Sequence, residues 1–479
     1  MELETALHRA PSDNALPFYI QPSLPNNGSA NTILVSPLPR LTLPFDYLTN
    51  GADGGGGGGG GSGGSSSSGS SCMEQLLIHC ATALETHDST SAQQILWVLN
   101  NIASPDGDST QRLTSAFLRA LITRAAQSGG AAPPCFLQHF PCRTEPPTRR
   151  LSVIELAGFL DLTPWNRFGF SAANAAIAEA VESFSVVRII DLSLSHCMQW
   201  PTLIDSLSNR PEGAPFIRLQ VFSGTISSHL PEIDMTYEEL GIRLTNFARS
   251  RNVGLEFTLI SVDGIPSLMK ELQNQRLEIM NQRLDTMLEE ALVVNCQMLL
   301  HYIPDETLDA NSSSGFHISS PASASSSLRF ELLKEIRSME PTIVTLVDED
   351  ADLTSTNLVA RLKSAFNYLW IPFDAVETFL PRENKQRILY ESDICHKIEN
   401  IIAFEGERRI ERLESKARWV QRMERVSFRN IGFSDDTVAE MKSLLEEHAA
   451  GWGLKKEDDD LVLTWKGHNV VFATAWVPT

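Results

Sequence analysis

Asp191 sits near the carboxyl end of an almost unbroken β-branched and apolar run, Val186, Val187, Ile189, Ile190 and Leu192. Such a run suits a strand buried on both faces of a parallel sheet, and the carboxyl ends of those strands are where open α/β sheets hold ligands. A nucleotide-type cofactor there needs a glycine-rich turn, because only glycine lets the backbone approach it closely. It also needs an acid after the next strand to hold ribose hydroxyls. Here the turn reads Ser193-Leu194-Ser195-His196-Cys197-Met198-Gln199-Trp200-Pro201, with no glycine, and the next strand ends in Phe222-Ser223-Gly224-Thr225. Both requirements are unmet, so Asp191 is expected to cap backbone amides.

Other chemistry-bearing groups are equally incomplete. Asp348-Glu349-Asp350 is an acidic cluster without basic or histidine neighbours in sequence, which reads as a solvated loop. Cys135, His139 and Cys142, with Cys72, His79 and Cys80 upstream, match no standard zinc spacing and read as buried or idle thiols. A phosphate-binding loop, a nucleophile elbow and an HExxH helix are all missing from the sequence. The expectation is therefore no catalytic residue, no cofactor and no metal. One cationic stretch stands out over residues 407–429, with Arg408, Arg409, Arg412, Lys416, Arg418, Arg422, Arg425 and Arg429 interleaved with glutamates. It reads either as a solvated helix laced with ion pairs or as a face contacting DNA phosphates or a partner protein.

The elements that must position these groups follow an α/β order. Residues 1–72 are rich in Pro, Gly, Ser and Asn, include an eight-glycine run at 54–61, and read as a flexible tail. The apolar piece 31–43 within it is a disordered leader or a docking peptide. Order is expected from Met73. Leucines at helical spacing mark three helices up to about residue 122, with Ser91/Gln94 and Asp108/Gln111 as capping boxes. This leucine-rich segment is either a bundle packed on itself or a dimerisation face. Helices are expected at 152–161 and 171–183, then strand 186–192, helix 202–208, strand 217–222, helix 237–250 and strand 255–260. Next come a long helix over 268–290, strand 291–299, helix 328–339 and strand 342–347. The apolar stripe Leu277, Met280, Leu284, Met287 and Leu288 reads as that long helix's packed face or a short coiled-coil arm. Residues 311–327 form a serine-rich insertion. Helices 357–369 and 398–404 precede the basic stretch, and a hairpin of 461–465 and 470–476 turns at residues 466–469. Strand alternating with helix implies right-handed crossovers and a mostly parallel sheet. The fold class is α/β: a Rossmann-like, methyltransferase-type doubly wound sheet with an N-terminal α-helical cap and a C-terminal β-hairpin.

The bulk numbers bound the function. With 479 residues and 42% hydrophobic content the chain can bury a large core. A formal net charge of −20 argues against a free-standing nucleic-acid binder, which would need a local basic patch against the overall field. Seven scattered cysteines fit a reducing compartment. The N-terminus has no secretory pattern, and no apolar run of about 18 residues is present, so the chain reads as soluble and intracellular.

These motifs together resemble the GRAS family of plant transcription regulators, and within it the Scarecrow-like branch. A first leucine-rich region matches residues 73–138. The family's VHIID motif matches Val187-Arg188-Ile189-Ile190-Asp191 with the following Gln199-Trp200-Pro201, in a region of about 157–222. A second leucine-rich region falls at 237–270 and a PFYRE region at 281–395. A SAW region at 398–476 ends in Thr474-Ala475-Trp476. Arg188 replaces the motif's histidine, Thr474 replaces the serine, and the PFYRE motif survives only as fragments such as Trp370-Ile371-Pro372-Phe373. The tail carries no DELLA-type motif. The resemblance implies a methyltransferase-like core without catalysis, a nuclear address, and action through partners such as zinc-finger or other GRAS transcription factors. Homo- or heterodimers and direct DNA contact are further options within that family.

Overall fold

A computed structural model of the chain describes residues 67–127, 150–224, 232–285, 289–307 and 327–479. The segment 31–43, the group Cys135/His139/Cys142 and nearly all of the serine-rich insertion lie outside the described residues. The first elements are α1 (Ser67–Glu85), α2 (Ser89–Ile102), α3 (Ser109–Gln127), β1 (Arg150–Leu151), α4 (Val153–Leu160) and α5 (Pro164–Ala180). The chain continues through β2 (Val186–Ser193), α6 (Trp200–Ser208), β3 (Phe216–Gly224), β4 (Glu232–Ile233), α7 (Tyr237–Ser250), β5 (Leu255–Val262), α8 (Gly264–Asp285) and β6 (Glu290–Gln297). After these come α9 (Leu328–Ser338), β7 (Ile343–Glu349), α10 (Leu358–Glu377), α11 (Lys385–Ala403), α12 (Lys416–Arg425) and β8 (Phe428–Ile431). The chain ends in α13 (Asp435–Glu446), β9 (Trp452–Glu457), β10 (Asp460–Trp465) and β11 (His468–Pro478).

Among the described residues, nine strands form one sheet in the order β5-β3-β2-β6-β7-β11-β10-β9, with β8 also paired to β11. Strands β5, β3, β2, β6 and β7 are parallel, and β11 joins β7 antiparallel. The order reverses between β2 and β6, so the switch point of this doubly wound sheet lies at the carboxyl ends of those two strands. Their unbroken apolar character has a direct cause. Val187 and Ile189 of β2 and Val293 of β6 enter one core, while Ile190, Leu192 and Val294 enter a second core on the opposite face. Helices cover both faces, so each strand residue needs an apolar side chain whichever way it points.

The first core continues into the cap. Leu77, Leu96, Leu99, Leu113, Phe117 and Leu121 are buried, with Phe117 against Phe366 of α10 at 5.5 Å between ring centroids. The buried Arg112 ties α3 to Glu377 of α10 (2.5 Å) and Glu391 of α11 (2.9 Å). Of the two readings of the leucine-rich segment, these leucines take the intramolecular one. The Asp108/Gln111 box forms reciprocally, at 2.8 and 3.1 Å. The Ser91/Gln94 box does not, because Asp88 caps α2 and Ser91 donates to it. Helix α1 starts at Ser67, nearly two turns earlier than expected, since extending an existing helix needs no new nucleus.

Other departures have similarly local causes. Helix α10 runs through Pro372, which forfeits one backbone bond; the flanking Leu369, Ile371, Phe373 and Val376 are all buried and hold it in line. Helix α8 buries Leu268, Leu272, Gln275 and Ile279, whereas Leu277 and Met280 of the expected stripe are 54% and 50% exposed; the Leu284 side chain, Met287 and Leu288 lie outside the described residues. The packed face is hidden in the sequence because one of its members is polar: Gln275 accepts a 2.8 Å bond from Gln220 of β3. The terminal hairpin turns on two residues, Lys466 and Gly467, both left-handed (φ 47° and 85°), so His468 and Asn469 belong to β11. Strands β8 and β9 extend it to a small antiparallel wing.

Helix α5 lies close to the sheet at Gly169, where an added Cβ would stand 2.8 Å from both Val347 Cγ1 and Gln297 Nε2. Gly169→Ala is expected to destabilise the protein by about 1–3 kcal/mol through overpacking, read as a lower urea midpoint with an unchanged slope.

Candidate functional site

The loop after β2 reaches the switch point, and the chain fills that crevice itself. Trp200, first residue of α6, is buried and donates its Nε1–H to Asp191 Oδ2 at 2.8 Å. Asn295 of β6 donates to Asp191 Oδ1 at 3.0 Å and to Gln199 Oε1 at 3.0 Å. Gln199 in turn donates to Asn174 Oδ1 at 3.0 Å, and Thr345 of β7 donates to Asn295 Oδ1 at 2.8 Å. The expectation that Asp191 caps backbone amides is corrected: the indole of Trp200 and the amide of Asn295 hold its carboxylate instead. Burial pushes its carboxyl up to about 6, against the lowering effect of bonds from Asn295, Ser193 and Trp200.

The turn keeps a glycine-like conformation without glycine. His196 and Cys197 have φ of 47° and 63°, in the left-handed region that side chains disfavour. Met198 N–H bonds to Ser195 O, and His196 Nδ1 lies 3.0 Å from Tyr237 Oη. Cys197 is buried, and burial together with Asp191 pushes its thiol pKa well up, so the group is a neutral filler. Val187, Ile189, Ile190, Gln199 and Trp200 of the VHIID-like stretch are all core residues. Arg188 is buried too and pairs with Glu290 at 3.1 Å. Pro201 sits in the first turn of α6.

The acidic cluster at the end of β7 is not a solvated loop. Asp348 is buried and accepts from His301 Nδ1 at 2.7 Å. Glu349 holds Lys397 of α11 at 2.7 Å. Asp350 accepts from the Lys416 backbone N–H and from Asn469, at 2.9 and 3.0 Å. The basic partners absent from the local sequence come from remote segments.

The basic stretch is likewise corrected. Only Lys416–Arg425 is α-helical, and Arg409, Arg412 and Arg422 are buried. Arg412 bonds Asp305 at 2.9 Å. Arg422 bonds Glu414 at 2.6 Å and Glu306 at 2.7 Å. Arg409 donates to the Leu353 carbonyl at 2.8 Å. Lys416 bridges Glu457 and Asp460 at 2.9 and 3.3 Å. At the surface remain Arg408, stacked on Phe404, Arg418, Arg425 over Phe330, and Arg429. In the SAW triplet, Thr474 donates to Leu346 O and Trp476 Nε1 donates to Thr474 Oγ1 at 2.8 Å, both deep in the sheet. Among the described residues no set of three or more His, Cys, Asp or Glu side chains is arranged to hold a metal. None of their helices is long and apolar enough to cross a membrane.

Fold and site together define a doubly wound, methyltransferase-type sheet whose ligand crevice is occupied by its own Trp200 and polar network. The family model described as the GRAS domain family matches residues 73–477, and the chain belongs to that family. Scarecrow-like protein 32 of Arabidopsis thaliana is 53% identical over 413 residues, 85% of this chain and 93% of that protein. Scarecrow-like transcription factor PAT1 of Arabidopsis thaliana is 29% identical over 401 residues, 84% of this chain and 75% of that protein. The crystal structure of SCL7 from Oryza sativa shares the fold, with a TM-score of 0.65 at 22% identity, covering 84% of this chain and 99% of that one. Proteins of this family regulate transcription in plant development and work in complexes with other proteins.

Proposed function

We propose that this chain is a nuclear transcriptional co-regulator that assembles other transcription factors, zinc-finger or GRAS proteins among them, and carries out no catalysis of its own. A domain from about residue 73 to the end does this. The observation that carries the reading is the occupied crevice: the atoms that would meet a cofactor at Asp191 already meet Trp200 and Asn295. Isothermal titration with S-adenosylmethionine is accordingly expected to give no heat of binding. The regulatory reading is tested with a fluorescent fusion and a promoter reporter in plant cells. Nuclear fluorescence and an altered reporter output are expected, and a cytoplasmic, silent protein would overturn it.

Direct DNA binding is a second reading, favoured by the exposure of Arg408, Arg418 and Arg425. The buried Arg409, Arg412 and Arg422 already face carboxylates or carbonyls, so they contribute no free phosphate contacts. If duplex DNA binds, replacing Arg418 and Arg425 by alanine should reduce the slope of log K against log salt by about 1 for each arginine that touches a phosphate. No binding near physiological salt rejects this reading.

A further inference from the structure

The large sheet has an edge strand at each end, and the two are built differently. On β9 the exposed Lys455 and Lys456 stand in succession, the kind of charge that keeps an edge from pairing with another chain. Strand β5, Leu255-Glu256-Phe257-Thr258-Leu259-Ile260-Ser261-Val262, holds no lysine and no proline. Its one charge, Glu256, is paired with Arg218 of β3 at 3.2 Å. Pairing with β3 uses only alternate residues of β5. The Ile217 N–H bonds the Gly254 carbonyl, which fixes the phase of the parallel ladder. Glu256, Thr258 and Ile260 therefore bond β3, while Leu255, Phe257, Leu259 and Ser261 turn both N–H and C=O outward. Among the described residues no strand pairs with that outer edge and no side chain bonds those backbone groups. Glu256 and Thr258 on one face and Ser261 on the other are exposed, so helices α7 and α8 leave the strand's margin open.

We propose that the β5 edge pairs antiparallel with the β5 edge of a second copy of this chain, joining the two sheets across a two-fold axis at Thr258. With Thr258 opposite Thr258, Phe257 stands opposite Leu259 of the second copy and Leu255 opposite Ser261. Every outward N–H then meets an outward C=O. Sliding the pair by two residues strands the groups of Leu255 or of Ser261, so this register is the one that satisfies the whole edge. The side chains agree with it. Phe257 against Leu259 is an aromatic–aliphatic pair, and Glu256 faces Ile260 rather than another acid. Arg251 before the strand and Asp263 after it come to the same end of the seam, so opposite charges flank it on both sides. One strand from each copy makes a small interface, and a dissociation constant of micromolar order is expected.

Sedimentation velocity of the purified full chain is expected to show a dimer that grows with concentration through the micromolar range. Thr258→Lys sets two lysines face to face across the axis. It should weaken the dimer about tenfold or more, with circular dichroism unchanged because position 258 is exposed. Thr258→Cys should cross-link to itself under mild oxidation, since directly opposed residues of this kind stand about 4.5 Å apart, within disulfide range. Ser261→Cys should cross-link no more than the wild-type chain, because Ser261 faces Leu255. Hydrogen exchange identifies the occupant: the amides of Leu255, Phe257, Leu259 and Ser261 should slow as protein concentration rises. Protection that ignores concentration assigns the edge to another segment of the same chain. Protection that appears only when a different protein is added assigns it to an extended segment of that protein. Either result overturns the self-pairing, as does a monomer at every concentration, a dimer indifferent to Thr258→Lys, or equal cross-linking through positions 258 and 261. None of these outcomes bears on the promoter assay.

Discussion

Glu414→Ala is expected to lower the unfolding free energy by about 3–5 kcal/mol, because it strands a buried charge. Glu414 is fully buried, forms an ion pair with Arg329 Nη1 at 3.1 Å, and accepts hydrogen bonds from Arg422 Nε and Nη2 at 2.6 and 2.7 Å. The two arginines are affected unequally. Arg422 keeps Glu306, whose carboxylate it bonds at 2.8 and 2.7 Å. The hydrogen bonds of Arg329 go to the carbonyls of Ile303, His301 and Arg412, and among the described residues Glu414 is the carboxylate within ion-pair distance of it. Without it a fully buried cation rests on neutral acceptors and the face of Trp419, 5.2 Å away. A cation–π contact contributes about 0.5–2 kcal/mol, well short of replacing the carboxylate. Urea unfolding of Glu414→Ala checks the loss. The double variant Arg329→Met/Glu414→Leu should recover much of it, since removing both charges removes the desolvation cost as well. If the single variant costs no more than the double, water reaches the network and Arg329 is not stranded.

The same network marks the boundary of what the sequence makes legible. Strand positions are legible, because a residue pattern of Val186, Val187, Ile189 and Ile190 has few uses other than a strand covered on both faces. Helix α7 is legible to the residue, since Thr236 and Glu239 form a capping box that starts it and an apolar stripe at Leu240, Leu244 and Ala248 defines its face. Burial of charge is not legible. Arg409, Arg412 and Arg422 look like a solvated face because the groups that hold them include Asp305 and Glu306, more than a hundred positions away. The acidic cluster at Asp348 misleads for the same reason, its partners being His301 and Lys397. Trp200 is legible as part of a motif but not as the occupant of the crevice. That role depends on β2 and β6 being neighbours, a pairing between residues about a hundred apart.

Asp191→Ala is expected to cost about 2–5 kcal/mol, as two buried donors lose their acceptor at about 1–3 kcal/mol each. Trp200 Nε1–H and the Asn295 amide both point at this carboxylate, and neither is exposed to water. Asparagine is no remedy. The network runs one way, with Thr345 donating to Asn295 Oδ1 and Asn295 donating to Asp191, so an amide at 191 would set N–H against N–H. The cost also depends on pH, with a definite sign. Burial raises the folded pKa of Asp191 from 3.8 to about 6. Below the unfolded value the carboxyl is protonated in both states, and its contribution to stability is fully present. Between the two values the folded protein holds a proton that the unfolded chain has released. Stability therefore falls as pH rises through the folded pKa, by about 1.4 kcal/mol for each pH unit separating the two pKa values. The difference between wild type and Asp191→Ala should then be larger near pH 4.5 than near pH 7, in urea titrations at the two values. Asp393 titrates in both proteins and cancels in that difference. A difference that stays flat across the range would mean that Asp191 has the same proton affinity folded and unfolded, and that the crevice at the switch point is open to water rather than filled by Trp200.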